Sequence, residues 1–315
     1  MPENFSDRLL KAIAEKKTPA VVAIDPVYSR LPAEIAEHRE LNDESDSEAA
    51  LDAVLEFCRH VIHVVAPIVP AVKLNSAYFE RYYSEGVDGY YELIQEAQER
   101  GLLVIGDIKR GDVGHSSEAY AAAHVIDSEF TNLPDLAAPD AVTVNGYFGT
   151  DGVAPFLEAA GSAGKGLFVL VRTSNESAVE LQDVFTSDGR RIHEVLGGLV
   201  ARWAGEYGLT GSRGYSCVGA VCAAREPEMA RRLRELMPHS ILLVPGYGAQ
   251  GLTAEHCAPF FKSDGSGAVV AAGRSVIYAY EQPHYLELYT SEWKKCVEHA
   301  CRDFVADLAR VTKVG

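Results

Sequence analysis

The chain has 315 residues, 47% of them hydrophobic, with 45 acidic side chains against 29 basic ones and a formal net charge of −16. Its balance is that of an ordinary globular protein, and no apolar run approaches the ~20 residues a membrane-spanning helix needs, so no membrane association is expected. A broad acidic field repels nucleic acid, which argues against such a partner and requires any phosphate-binding cations to be local. Residues 1–17 are polar and amphipathic, unlike a secretory signal, and read as a helix with Ser6 as N-cap and Phe5 and Leu10 spaced as a hydrophobic staple. Continuous runs rich in Val, Ile and Leu then recur at 20–25, 69–74, 102–107, 141–145, 167–172, 216–221, 240–245 and 268–272. Such runs suit parallel strands covered by helices on their outer face. Amphipathic stretches separate them, for example 88–100, which ends at Gly101 as a helix C-terminus should. The acidic segment 36–49 and the segments 127–139, 183–191 and 262–267 read as surface loops. About eight β–α units without a linker predict one (β/α)8 TIM-barrel domain over 1–315, with a doubly wound open sheet as the alternative.

In a TIM barrel the active site is built at the C-terminal ends of the strands. The predicted strands end in polar groups: Asp25, then Lys73 and Asn75, then Asp107, Lys109 and Asp112, then Asn145, then Arg172, Thr173, Ser174 and Asn175. Along the third strand the side chains of Asp107 and Lys109 share a face, and Ile108 takes the other. Charges half-buried there are costly unless paired, and Lys73 on the neighbouring strand supplies a second cation that would keep Asp107 ionised. Glycines 246, 248, 251 and 273 follow strands seven and eight, the usual phosphate site of this fold, with Arg274 beside them.

Other motifs lead nowhere. Residues 159–166 loosely resemble a P-loop but lack its first Gly and final Ser/Thr, and no early GxGxxG opens a helix. His60 and His63 are three apart without a third ligand, so no metal is expected, and His115 reads as a solvated loop residue. The six cysteines are scattered with no CxxC pair, as in the reduced, core-filling thiols of a cytoplasmic protein.

The segment 107–120 (DIKRGDVGHSSEAY) resembles the Asp-x-Lys-x-x-Asp signature of the orotidine 5′-phosphate decarboxylases, and the resemblance continues through 21–32, 72–79, 141–151, 165–175, 244–251 and 272–278. It is strongest to the longer, bacterial-type subfamily. The resemblance implies a cofactor-free decarboxylation of orotidine 5′-monophosphate by a homodimer with shared active sites. Lys73, Asp107, Lys109 and Asp112 would form a charged tetrad, with Lys109 protonating C6 and Asp112 lent to the partner's site. Asp25 and Lys73 would hold the ribose, helped by Ser116 from the partner. Thr173 and Ser174 would meet the pyrimidine edge, and Gln250, Gly273 and Arg274 the phosphate.

The sequence departs from the family pattern at four places. Ser116 stands where Thr is usual, Leu74-Asn75 for Pro-Gln, Asn145-Gly146 for Asn-Pro, and Leu252 for a second Gly. None removes a charged group. Three rival readings remain open at this stage: a Mg2+-dependent relative acting on a keto-sugar phosphate, a Schiff-base aldolase using Lys73 or Lys109, and a nucleotide-binding barrel without turnover.

Overall fold

The computed structural model describes residues 2–36, 46–133, 136–206, 208–223, 225–290 and 292–313. Eight parallel strands close into a barrel in the order of the chain. They are β1 (Ala20–Ile24), β2 (Ala71–Leu74), β3 (Leu103–Arg110), β4 (Ala141–Val144), β5 (Gly166–Arg172), β6 (Ser216–Cys222), β7 (Ser240–Pro245) and β8 (Ala268–Ala272). Closure rests on the pairing of β1 with β8, where Ala20 faces Val270 and Val22 faces Ala272. The open-sheet alternative falls with that pairing.

The long helices are α1 (Phe5–Lys16), α2 (Ser47–Val65), α3 (Tyr83–Glu99), α4 (Gly114–Val125), α5 (Thr150–Ala163), α6 (Ile192–Glu206), α7 (Pro227–Leu236) and α8 (Trp293–Val311). Among the described residues no helix is long and apolar enough to cross a membrane. α3 begins five residues before the expected start. The glycines that hide its first turns from a propensity reading are there for packing: a Cβ on Gly86 would lie 2.0 Å from Phe79 O, and one on Gly89 2.8 Å from Leu55. Gly101 follows the helix end at φ +78°, as expected of a residue in the left-handed region.

The acidic segment 36–49, expected as a loop, is helical where its ends are described: Ala36 belongs to a short helix, and Asp46 caps α2 by accepting from Glu48 N–H and Ala49 N–H. The rest of that segment, 37–45, lies outside the described residues.

The N-terminus differs from expectation by two residues. α1 is capped by Asn4, whose side chain accepts from Ser6 N–H at 2.9 Å, so Ser6 is inside the helix and Phe5 is its first residue rather than a staple. Phe5 instead seals the floor of the barrel. Its ring meets Phe168 edge-on at 5.9 Å, and a Cβ on Gly166 would sit 2.2 Å from it. Polar ties hold the helix there. Asn4 donates to Leu209 O, Ser6 Oγ donates to Tyr215 O, and Asp7 accepts from Ser212 and Arg213 N–H groups. All six cysteines are buried and unpaired, and burial pushes the thiols of Cys217, Cys222, Cys257 and Cys301 up to about 12, which makes them inert core filler.

Candidate active site

With the floor sealed, the open end of the barrel holds a cavity of about 280 Å³. Asp25, Lys73, Asp107, Lys109, Thr173, Ser174, Gln250, Gly273 and Arg274 all line it. The centre of its floor is Asp107, a carboxylate 6% exposed. Lys73 Nζ donates to its Oδ2 at 2.5 Å and Lys109 Nζ to its Oδ1 at 2.6 Å. Burial by itself would raise the Asp107 pKa, but the two ammonium groups outweigh it and hold the carboxyl well below its usual range. For Lys73 burial opposes the charge, and the carboxylates of Asp25 and Asp107 reverse that, raising its pKa above the ordinary lysine value. Asp25 Oδ1 lies 3.5 Å from Lys73 Nζ and is buried without a hydrogen bond, while the side chain as a whole lines the cavity.

Alternation alone would carry Asp107 and Lys109 to one face, but the backbone adds a distortion. Lys109 has φ +49°, and the β3–β4 register shifts between Gly106 and Arg110. A left-handed conformation in a non-glycine residue costs about 1–3 kcal/mol and persists where the surroundings over-determine it. Here Thr143 does so: its hydroxyl accepts from Lys109 N–H at 3.0 Å and donates to Asp107 Oδ1 at 2.8 Å. Sequence reading missed Thr143, choosing Asn145 as the functional end of the fourth strand. Asn145 is exposed and instead caps the turn Gly146–Phe148 by accepting from Tyr147 N–H. The available signal was that Thr143 is the one polar residue inside an otherwise apolar strand.

Two sequence candidates lie elsewhere. Asp112 and Ser116 do not line this cavity; Asp112 Oδ1 accepts from Val113 N–H, and Ser116 is exposed in the first turn of α4 without capping it. Val113, next to Asp112 in the chain, is exposed, as are Tyr147 and Phe148, and a Cβ on Gly152 would touch both the Phe148 side chain and Asp112 O. Arg172 also leaves the cavity to pair with Asp183.

The glycine-rich segment after β7 forms a tight turn packed against neighbouring side chains. Gly246 and Gly248 take φ +103° and +71°, and Cβ atoms there would press on Gln250 and Ser275. Two further contacts hold this turn: Arg225 donates to Gln250 O at 2.7 Å, and Tyr247 Oη donates to Asp307 on α8 at 2.7 Å. His60 packs edge-on against Trp293, and His63 lies beside Arg100.

The family model described as orotidine 5′-phosphate decarboxylase / HUMPS matches residues 21–287. Orotidine 5′-phosphate decarboxylases of Caldicellulosiruptor bescii and Rhodopirellula baltica are each 36% identical to this chain. The first match covers 88% of this chain and 90% of the relative, the second 94% and 96%. A crystal structure of a candidate orotidine 5′-phosphate decarboxylase from Streptomyces avermitilis superposes with a TM-score of 0.75 at 28% identity, over 98% of this chain and 96% of that one. A closed barrel whose chain is matched over this much of its length has one assignment: it belongs to the orotidine 5′-phosphate decarboxylase / HUMPS family.

Proposed function

We propose that the protein decarboxylates orotidine 5′-monophosphate to uridine 5′-monophosphate, as a cytoplasmic homodimer. The observation that carries this reading is Asp107, held ionised between Lys73 and Lys109 on the floor of a cavity that opens toward a glycine-rich turn and Arg274. Breaking the C6–carboxylate bond leaves its electron pair on C6, where the ring delocalises it poorly. A fixed ammonium beside that carbon stabilises the developing charge, and its proton then goes to C6 as carbon dioxide departs. In this reading Lys109, which lines the cavity, performs both tasks and regains its proton from solvent. Asp107 keeps Lys109 aimed. Asp25 and Lys73, which both line the cavity, meet the ribose hydroxyls. Thr173 and Ser174 face the pyrimidine edge, while Gln250, Gly273 and Arg274 take the phosphate. Contacts to a remote phosphate can organise the mouth and so raise the rate as well as the affinity.

Turnover is measured as loss of substrate absorbance in excess EDTA. Metal-independent consumption supports the reading. Consumption that requires Mg2+, or activity only on keto-sugar phosphates, transfers the chain to the other branch of its family, and borohydride trapping of a substrate on Lys73 or Lys109 would make it an aldolase.

Asp112 and Ser116 belong, in this reading, to the partner's cavity, and the apolar side chains around Asp112 support a second copy of the chain as the occupant of that face. Mixing two inactive variants, Lys109→Ala and Asp112→Ala, therefore restores activity. A mixed dimer has one cavity with both native residues, so random mixing recovers about a quarter of the sites. If Asp112 served its own chain, both cavities of the mixed dimer would be defective and the mixture would stay inactive.

A further inference from the structure

β5 leaves the barrel at Arg172, and the chain makes an excursion before α6 begins at Ile192. The expected surface loop at 183–191 folds back on itself as a tight ribbon. Phe185 bridges Arg191 in the antiparallel sense, Thr186 N–H donates to Arg190 O at 2.7 Å, and Gly189 turns the tip at φ +81°. At the base, Ile192 N–H donates to Val184 O and His193 N–H to Gln182 O, both at 3.0 Å. The His193 ring is 2% exposed, with Nδ1 2.9 Å from Gln182 O and 3.0 Å from Asp183 Oδ1. Asp183 also accepts a two-pronged bond from the Arg172 guanidinium, at 2.9 and 3.0 Å. Planar forks of this kind fix orientation as well as adding energy.

Gln182 is thus anchored from its backbone side, and its carboxamide is turned onto Thr173. Oε1 accepts from Thr173 N–H and Nε2 donates to Thr173 Oγ1, both at 2.8 Å. The backbone N–H can face only an acceptor, which settles the orientation of the amide. The Thr173 hydroxyl passes its own proton to Asn175 Oδ1 at 2.6 Å. Both protons that Thr173 could offer a ligand are therefore committed within the protein, while the adjoining Ser174 lines the cavity.

We propose that Gln182 is a positioning residue: it clasps Thr173 and so fixes the rim from which Ser174 meets the heterocycle of the bound nucleotide. The inference rests on the pyrimidine-nucleotide reading above. Thr173 then acts through its place in the rim rather than by donating to the ring, and the Arg172–Asp183–His193 group holds the clasp.

The test is binding of two ligands that share a phosphate and differ in the ring, uridine 5′-monophosphate and ribose 5-phosphate, to wild type, Gln182→Ala and Gln182→Glu. Gln182→Ala is expected to weaken the nucleotide about ten-fold, since two hydrogen bonds that orient the rim are lost, and to leave ribose 5-phosphate unchanged. Gln182→Glu keeps the acceptor for Thr173 N–H and is expected to recover part of the loss. Equal weakening of both ligands in both variants would mean a general collapse of the mouth, and no change in either would mean no clasp; each overturns the proposal. A wild type that binds ribose 5-phosphate but gains nothing from the ring defeats the pyrimidine reading itself, and the inference with it.

Discussion

Lys109→Ala is expected to reduce turnover of orotidine 5′-monophosphate by about 10⁴-fold or more, with product binding within a few-fold of wild type. The magnitude follows from the two tasks one ammonium performs. General acid catalysis contributes about 10²–10⁴-fold and electrostatic stabilisation of a developing anion about 10²–10³-fold. Binding should survive because the groups assigned to the ribose, the ring edge and the phosphate come from other elements: Asp25 after β1, Ser174 after β5, Gln250 after β7 and Arg274 after β8. Single-turnover kinetics beside product titration separate the two quantities. A variant that keeps turnover within about ten-fold of wild type would remove Lys109 from the chemistry. The substitution also removes one of the two ammonium groups that hold Asp107 ionised, while the Thr143 hydroxyl still accepts from the backbone N–H of residue 109. A modest loss of stability is therefore expected alongside the lost activity, because a buried carboxylate loses one of its two cationic partners.

Asp107→Ala should damage both activity and stability. Lys73 is 8% exposed and would keep only Asp25, 3.5 Å away, as a counter-charge. Stranding a buried cation costs about 3–5 kcal/mol, and the remaining Asp25 contact places the expectation near the lower end, about 3 kcal/mol by urea unfolding at neutral pH. The pH dependence has a definite sign. The folded-state pKa of Asp107 is depressed, so its contribution is present above the ordinary carboxylate value of about 4 and fades as the pH falls through the lower folded value. The raised pKa of Lys73 contributes below the ordinary lysine value of about 10.4 and fades as the pH rises through the higher folded value. The gap between wild type and Asp107→Ala is therefore widest between about pH 4 and pH 10 and narrows on acidification. A gap that stays constant into acid, or one below about 1 kcal/mol at neutrality, would show that the cluster is not held together by charge.

The strands were legible because each is a continuous apolar run, and their order followed from counting them. Closure was not local: the Ala20–Val270 pairing joins residues 250 apart, and no window of sequence contains it. Boundaries moved where chemistry overrode hydrophobicity. β2 starts at Ala71 rather than 69 because Pro70 precedes it and has no N–H for a ladder. β3 runs on to Arg110, past its charged residues, because Thr143 carries the backbone through Lys109 and Asn145 N–H then donates to Arg110 O. In the site, the charged residues could be read from strand-end position, since a charge continuing an apolar run has few other uses. Gln182 could not. It reaches Thr173 from nine residues away within a polar stretch, where nothing in the spacing distinguishes it from a solvated glutamine. Asp112 and Ser116 are the opposite case, singled out by resemblance and absent from the cavity of their own chain.

The helix that closes the barrel floor also sets a timetable. Asn4, Ser6 and Asp7 are made long before their partners, which lie 205 to 209 positions later, at Leu209, Ser212, Arg213 and Tyr215. At roughly 5–20 residues per second, the helix waits about 10–40 s before its polar ties exist. Phe5, enclosed in the finished protein, spends most of that interval without Phe168 of β5, which its ring will meet. The nascent chain is therefore most open to chaperones and to self-association until β6 arrives and the floor becomes watertight.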